Sequence, residues 1–168
     1  MKANIFLLAL FIGGCEDDSI EDIIPNSIEV VTGNIMVSNF YYNLINETEV
    51  DSSSTWHLSA KVIQVPFGEG FYGMPSVVLG NVSAQSLDVS YSEIVSPPSE
   101  NTVWYSNNNA VQYGEIDEVI SYNMTTHVAS VENPTKAFII YENIGQTSYK
   151  IQFLAYTSGI LSFQFQEL

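Results

Sequence analysis

Apolar and polar residues alternate with a period of two over much of the chain, most regularly at its end. There Leu161, Phe163 and Phe165 alternate with Ser162, Gln164 and Gln166, the pattern of a strand with one buried face. Before it, Tyr149, Ile151 and Phe153 alternate with Lys150 and Gln152, and Thr157-Ser158-Gly159 supplies the turn. Ala137 to Tyr141 is a continuous apolar run closed by Glu142-Asn143-Ile144-Gly145. The three segments predict an antiparallel meander from Lys136 to the C-terminus.

The first half is less regular. Ile28 to Thr32 and Ile35 to Leu44 read as a hairpin turned at Gly33-Asn34. Trp56, Leu58, Ala60 and Val62 alternate with His57, Ser59, Lys61 and Ile63, which places His57 on the face opposite Trp56, a solvated one. Ser76 to Leu79 and Leu87 to Tyr91 read as short strands. Pro66 to Pro75 and Ser96 to Asn109 read as loops, the second a long mobile one. Glu115 to Ile120 is the one stretch offering a helical turn. The pattern predicts an all-β, single antiparallel domain over residues 28–168.

Composition supports that reading. The 168 residues are 46% hydrophobic and include ten Tyr and nine Phe, enough apolar material for one core and biased towards strands. Four Lys, no Arg and nineteen acidic residues give a formal charge of −15. Such a surface repels phosphate backbones, which excludes nucleic acid as a partner.

The N-terminus reads as an address. Lys2 precedes an apolar run from Ile5 to Ile12 that is too short to span a bilayer and suits a signal-peptide core. Ile12-Gly13-Gly14-Cys15 resembles a bacterial lipobox, with cleavage after residue 14 and lipidation of Cys15, the chain's single cysteine. Residues 1–14 are thus read as a lipoprotein signal peptide and residues 15–27 as the lipidated cysteine and an acidic linker. Glu16-Asp17-Asp18-Ser19 directly after the cysteine resembles the surface-export signal of Bacteroidetes lipoproteins. The expected location is the outer membrane, at the cell surface, with the membrane touched through the lipid anchor only.

Catalytic signatures are missing. The chain has no Gly-x-Ser-x-Gly, no phosphate-binding glycine loop, no His-Glu-x-x-His and no cysteine pair, so no enzyme is expected. Glu115, Asp117 and Glu118 lack the alternating ligands of a calcium loop. What remains is His57 and His127 with Met36, Met74 and Met124. Imidazole nitrogen and thioether sulfur are the usual protein ligands of haem iron, although packing in a core is the ordinary role of a methionine.

The order of features resembles the HmuY family of haem-binding surface lipoproteins from Bacteroidetes. The likeness rests on the lipobox and acidic tether, Phe40-Tyr41-Tyr42-Asn43-Leu44, Thr55-Trp56-His57-Leu58-Ser59-Ala60, Trp104-Tyr105, and the element Tyr122-Asn123-Met124-Thr125-Thr126-His127 ahead of Pro134. Lys136-Ala-Phe-Ile-Ile-Tyr141, Gly145, Tyr149 to Phe153, Tyr156 and the last aromatic strand complete it. The resemblance implies an HmuY-like β domain binding haem in a cleft between projecting hairpins, for iron acquisition. The expected partners are haemoproteins or an outer-membrane haem receptor. By position it makes His127 the metal ligand; the second is left open among Met124, Met74 and His57, and Trp104, Tyr105 and Tyr72 are the candidates to stack on the porphyrin. His57 stands where the family commonly has an acidic residue. The alternative expectation is a non-catalytic surface lipoprotein of the same fold that has lost the haem site and binds another ligand or partner.

Overall fold

The alternating segments do what their period demands, each turning one row of side chains inward. The computed structural model describes residues 27–99 and 102–168; the apolar N-terminal run, Cys15 and nearly all of the acidic linker lie outside the described residues. Eleven strands, all paired antiparallel, make up the described chain. They are β1 (Ile28–Val31), β2 (Phe40–Asn43), β3 (Thr48–Glu49), β4 (Leu58–Phe67), β5 (Gly70–Leu79), β6 (Val82–Leu87), β7 (Ile120–Asn123), β8 (Val128–Val131), β9 (Ala137–Glu142), β10 (Thr147–Thr157) and β11 (Ile160–Glu167). One sheet runs β1-β11-β10-β9-β6, a second β3-β2-β4-β5, and β7 pairs only with β8.

The predicted meander is β9-β10-β11. Its inward row, Tyr149, Ile151 and Phe153 on β10 with Leu161, Phe163 and Phe165 on β11, is fully buried. It faces Phe40, Tyr42, Leu58, Ala60, Val77 and Leu79 of the second sheet. The Phe163 ring meets Phe40 and Tyr42 edge-on, at 6.5 and 5.8 Å between centroids. Each such side chain contributes about 1.5–3 kcal/mol by leaving water. The β10–β11 turn, Ser158-Gly159, has both residues at positive φ (52° and 87°), the type I′ geometry that matches strand twist.

Behind the five-stranded sheet, Tyr91, Ile94, Ala137 and Ile139 form a smaller core. Lys150 enters it from β10, and its ammonium donates to the carbonyls of Tyr91 (3.2 Å) and Ile94 (2.7 Å). Burial lowers its pKa.

Three local expectations are corrected. Gly33-Asn34 does not turn a hairpin: β1 pairs with β11, and Thr32 N–H and Ile35 N–H still donate to Leu161 and Gly159 carbonyls before the chain crosses to the other sheet. A period of two names the face of a strand, not its partner. Pro66 to Pro75 is not a loop but the far half of β4 and β5, paired from Val62↔Pro75 to Phe67↔Gly70. Gly68 (φ +59°) makes the turn, and Pro75 is tolerated because β5 is an edge strand. Leu87 to Tyr91 is not a strand either; β6 ends at Leu87, and a 3-10 turn follows at Tyr91–Glu93.

Among the described residues the connection from Ile94 to Val119 carries no strand, in agreement with the loop expected over Ser96 to Asn109, and the Glu115 to Ile120 stretch forms no helix. Ala110, Val111 and Val119 of this connection are nonetheless buried. β2 pairs with β4 only from Leu58 to Ala60. Beyond Ala60, β4 and β5 therefore project as a two-stranded ribbon, and β7–β8 is a second one.

Candidate functional site

The β7–β8 turn is one of three built alike. Each is a four-residue loop that follows Asn43, Asn123 or Glu142. In the first two, the Asn side-chain oxygen accepts two backbone N–H groups, those of Ile45 and Asn46 and those of Thr125 and Thr126, at 2.9–3.0 Å. The Glu142 carboxylate does the same for Ile144 and Gly145. The fourth loop residue is always left-handed: Glu47 (φ 51°), His127 (φ 56°) and Gln146 (φ 58°). A side chain there costs about 1–2 kcal/mol, so the imidazole of His127 occupies a position where glycine would fold more easily.

That turn forms one wall of a cleft of about 860 Å³, within the roughly 300–1,000 Å³ common for small-molecule sites. The opposite wall is the β4–β5 ribbon, with Val65, Phe67, Tyr72 and Met74. Met36, Tyr113, Tyr156 and the Ser158-Gly159 turn close the remainder. No Asp, Glu, Lys or Arg lines it, although the chain carries a formal −15.

The cleft gathers three of the expected site residues, His127, Met124 and Met74, and Tyr72 with them. Met124 and His127 share one turn, three residues apart, and the turn closes with His127 N–H donating to Asn123 O at 2.8 Å. The Tyr122 hydroxyl lies 2.9 Å from His127 Nδ1. With Nδ1 engaged, Nε2 is the nitrogen left for a ligand, and the hydrogen bond orients the ring.

The other expected residues lie elsewhere. Trp104 packs tilted against Tyr141 (5.9 Å, 32°) beside a separate, smaller cleft that also includes Gln146 and Glu167. The Tyr105 hydroxyl donates to Asp117 at 2.8 Å, and its backbone N–H donates to Ala84. These two aromatics seat the long connection and do not reach the His127 cleft.

His57 corrects the expectation of a solvated face. It is 2% exposed, and its Nδ1 accepts the Leu44 N–H at 3.0 Å. That bond places the ring proton on Nε2, an atom with no hydrogen-bond partner. Burial lowers its pKa, and the nearby Glu142 carboxylate opposes the shift only in part. The folded state thus holds His57 neutral, whereas the unfolded chain protonates it near 6.5. Stability is full above that pH and declines as the pH falls below it, because the unfolded state then binds the extra proton. Urea midpoints measured across this range are expected to fall with pH in the wild type and to fall less in His57→Asn.

Tyr113, Tyr122 and Tyr156 were not singled out as site residues by sequence, and Met36 was counted among the methionines without being given a place in the site. The Asn123-x-x-x-His127 turn signature marks Tyr122, the residue just before that Asn. Nothing local marks the others, which arrive from remote segments. Core packing, the ordinary role of methionine, does not hold for Met36 and Met124, which are 53% and 59% exposed. No family model, curated protein or solved structure matches the chain. The fold and site define an antiparallel all-β protein with a neutral, aromatic-walled cleft that gathers nitrogen and thioether donors.

Proposed function

We propose that the protein is a non-catalytic, lipid-anchored outer-membrane protein of the cell surface that binds haem for iron acquisition, in the manner of the HmuY family. Haem is its cargo. Haemoproteins or an outer-membrane haem receptor are the partners that supply or receive it, and Cys15 is the lipidated residue. The observation that carries this reading is the meeting of His127, Met124 and Met74 in one cleft between two projecting ribbons.

The donor set fits an iron porphyrin. Met124 and His127 leave one turn, whereas Met74 comes from the other ribbon, so His127 and Met74 are the pair that would hold the iron from two separate elements. Phe67, Tyr72, Tyr113 and Tyr156 offer the aromatic lining that excludes water from a macrocycle. When bound, haem would supply the metal centre; the chain's own contribution is Nε2 of His127, the Met74 thioether and a dry wall.

A second reading, a site that has lost haem and takes another ligand, is favoured by one observation. Among the described residues each lysine is committed: Lys61 beside Tyr41 and Trp56, Lys136 on Asp117 and Lys150 in the smaller core. None lines the cleft to meet the propionates.

Titration with haemin, followed in the Soret region, separates the two readings. A low-spin band at micromolar haemin is expected. His127→Gly should weaken binding by more than the roughly 10–100-fold that losing an outer-shell partner costs, and Met74→Leu should change the spectrum. The glycine variant also relieves the left-handed backbone, so its stability should stay level or rise by up to about 1 kcal/mol. Lost binding in it is therefore not misfolding. No spectral change with the wild type would overturn the haem reading in favour of the second.

A further inference from the structure

The cleft collects every methionine among the described residues. Met36 comes from the crossing after β1, Met74 from β5 and Met124 from the β7–β8 turn, and one of the two histidines joins them. Buried methionines fill gaps in a core. Met36 and Met124 are instead more than half exposed, at the rim of one cavity. We propose that Met36, Met74, Met124 and His127 form a binding site for a soft monovalent metal ion, copper(I), independent of any porphyrin.

The chemistry of the lining selects this class of ion. Calcium, magnesium and zinc need carboxylate, carbonyl, imidazole or thiolate sets. The cleft has no carboxylate, and among the described residues no three His, Cys, Asp or Glu side chains gather anywhere. Thioether sulfur is a soft donor that prefers copper(I), and imidazole accepts it too. Met124 and His127 are neighbours in one turn, and the Tyr122 hydroxyl engages His127 Nδ1, which leaves Nε2 to the ion. Long, freely rotating methionine arms from the other walls can close on an ion that these two begin to hold.

Electrostatics points the same way. A surface at −15 attracts a cation and repels a carboxylate-bearing ligand. The lining itself is neutral and largely aromatic or aliphatic, so desolvation penalises a single charge far less than a double one. A monovalent ion is the species this combination admits.

The test uses the protein with Cys15→Ser, which removes the single thiol. It is titrated anaerobically against the coloured copper(I)–bicinchoninate complex. One copper(I) per chain should be withdrawn. The combined Met36→Leu, Met74→Leu and Met124→Leu variant keeps the apolar bulk and should weaken uptake by about tenfold or more, as should His127→Ala. Silver(I), redox-inert, should shift the methionine methyl and His127 ring resonances of the wild type. The proposal is overturned if no copper leaves the indicator, or if the triple leucine variant takes it up as the wild type does. Copper uptake without a haemin Soret band removes the porphyrin reading and leaves this one; the reverse result removes this one alone.

Discussion

Phe163→Ala is expected to lower stability by about 3–5 kcal/mol. The ring is completely buried in the middle of β11 and touches both sheets: Phe40 and Tyr42 across the core, Phe153 and Phe165 beside it. Truncation removes its transfer free energy and leaves a cavity between two sheets whose backbones are fixed by their own ladders, so little collapse can compensate. For a domain of this size the loss corresponds to a drop in Tm of about 6–20 °C. Phe71→Ala is the control: with the ring 71% exposed, its effect should stay within about 0.5 kcal/mol. Thermal unfolding of both variants checks the pair. Equal effects would mean that Phe163 is not the joint between the sheets.

Asp117→Asn is expected to cost about 2–3 kcal/mol. Its carboxylate accepts hydrogen bonds from Ser86 (2.9 Å) and Tyr105 (2.8 Å) and pairs with Lys136. It thereby ties the long connection to β6 and to the start of β9. Breaking a fully buried charge pair costs about 3–5 kcal/mol. Here the side chains keep 24% and 12% of their exposure, so water screens part of the loss. Burial by itself would raise the pKa of Asp117, but the bonds from Lys136, Tyr105 and Ser86 prevail and lower it below 3.8. The sign follows: the contribution is complete above the unfolded value and disappears as acid takes the carboxyl through its depressed folded value. Acid unfolding followed by tyrosine fluorescence should show a steep limb in the wild type that is shallower in Asp117→Asn. An unchanged limb would assign the acid sensitivity to other carboxylates.

The fold was largely legible because period-two alternation reports burial directly. Leu161, Phe163 and Phe165 had no other economical reading. Strand partners were not legible: β1 and β2 adjoin in sequence, yet they serve different sheets, and only long-range hydrogen bonds to β11 decide that. The glycines and prolines between Pro66 and Pro75 imitate a loop because an edge ribbon tolerates both residue types. At the site, His127 came from its place in the family resemblance, with Met124, three residues before it, and Met74 as open alternatives for a second ligand; the structure puts all three on one cleft. Trp104, Tyr105 and His57 misled because aromatic and imidazole groups are as useful for seating a connection or capping a strand end as for touching a ligand. The convergence of positions 36, 74, 113 and 127 is a product of the crossing strands, and no local pattern carries it.

Both walls of the cleft are ribbons without a third strand, a class of element that is barely self-sustaining in water. The base of β7–β8 is held in the main core by Ile120 and Val131, so the outer half of β4–β5 is the arm an occupant must order, and some of its contact energy goes into that. Affinity at this cleft is then governed by how rigid that arm is beforehand as much as by which atoms the walls present. Changes far from the donors, such as a stiffer turn at Gly68, would tune it without touching the bound molecule.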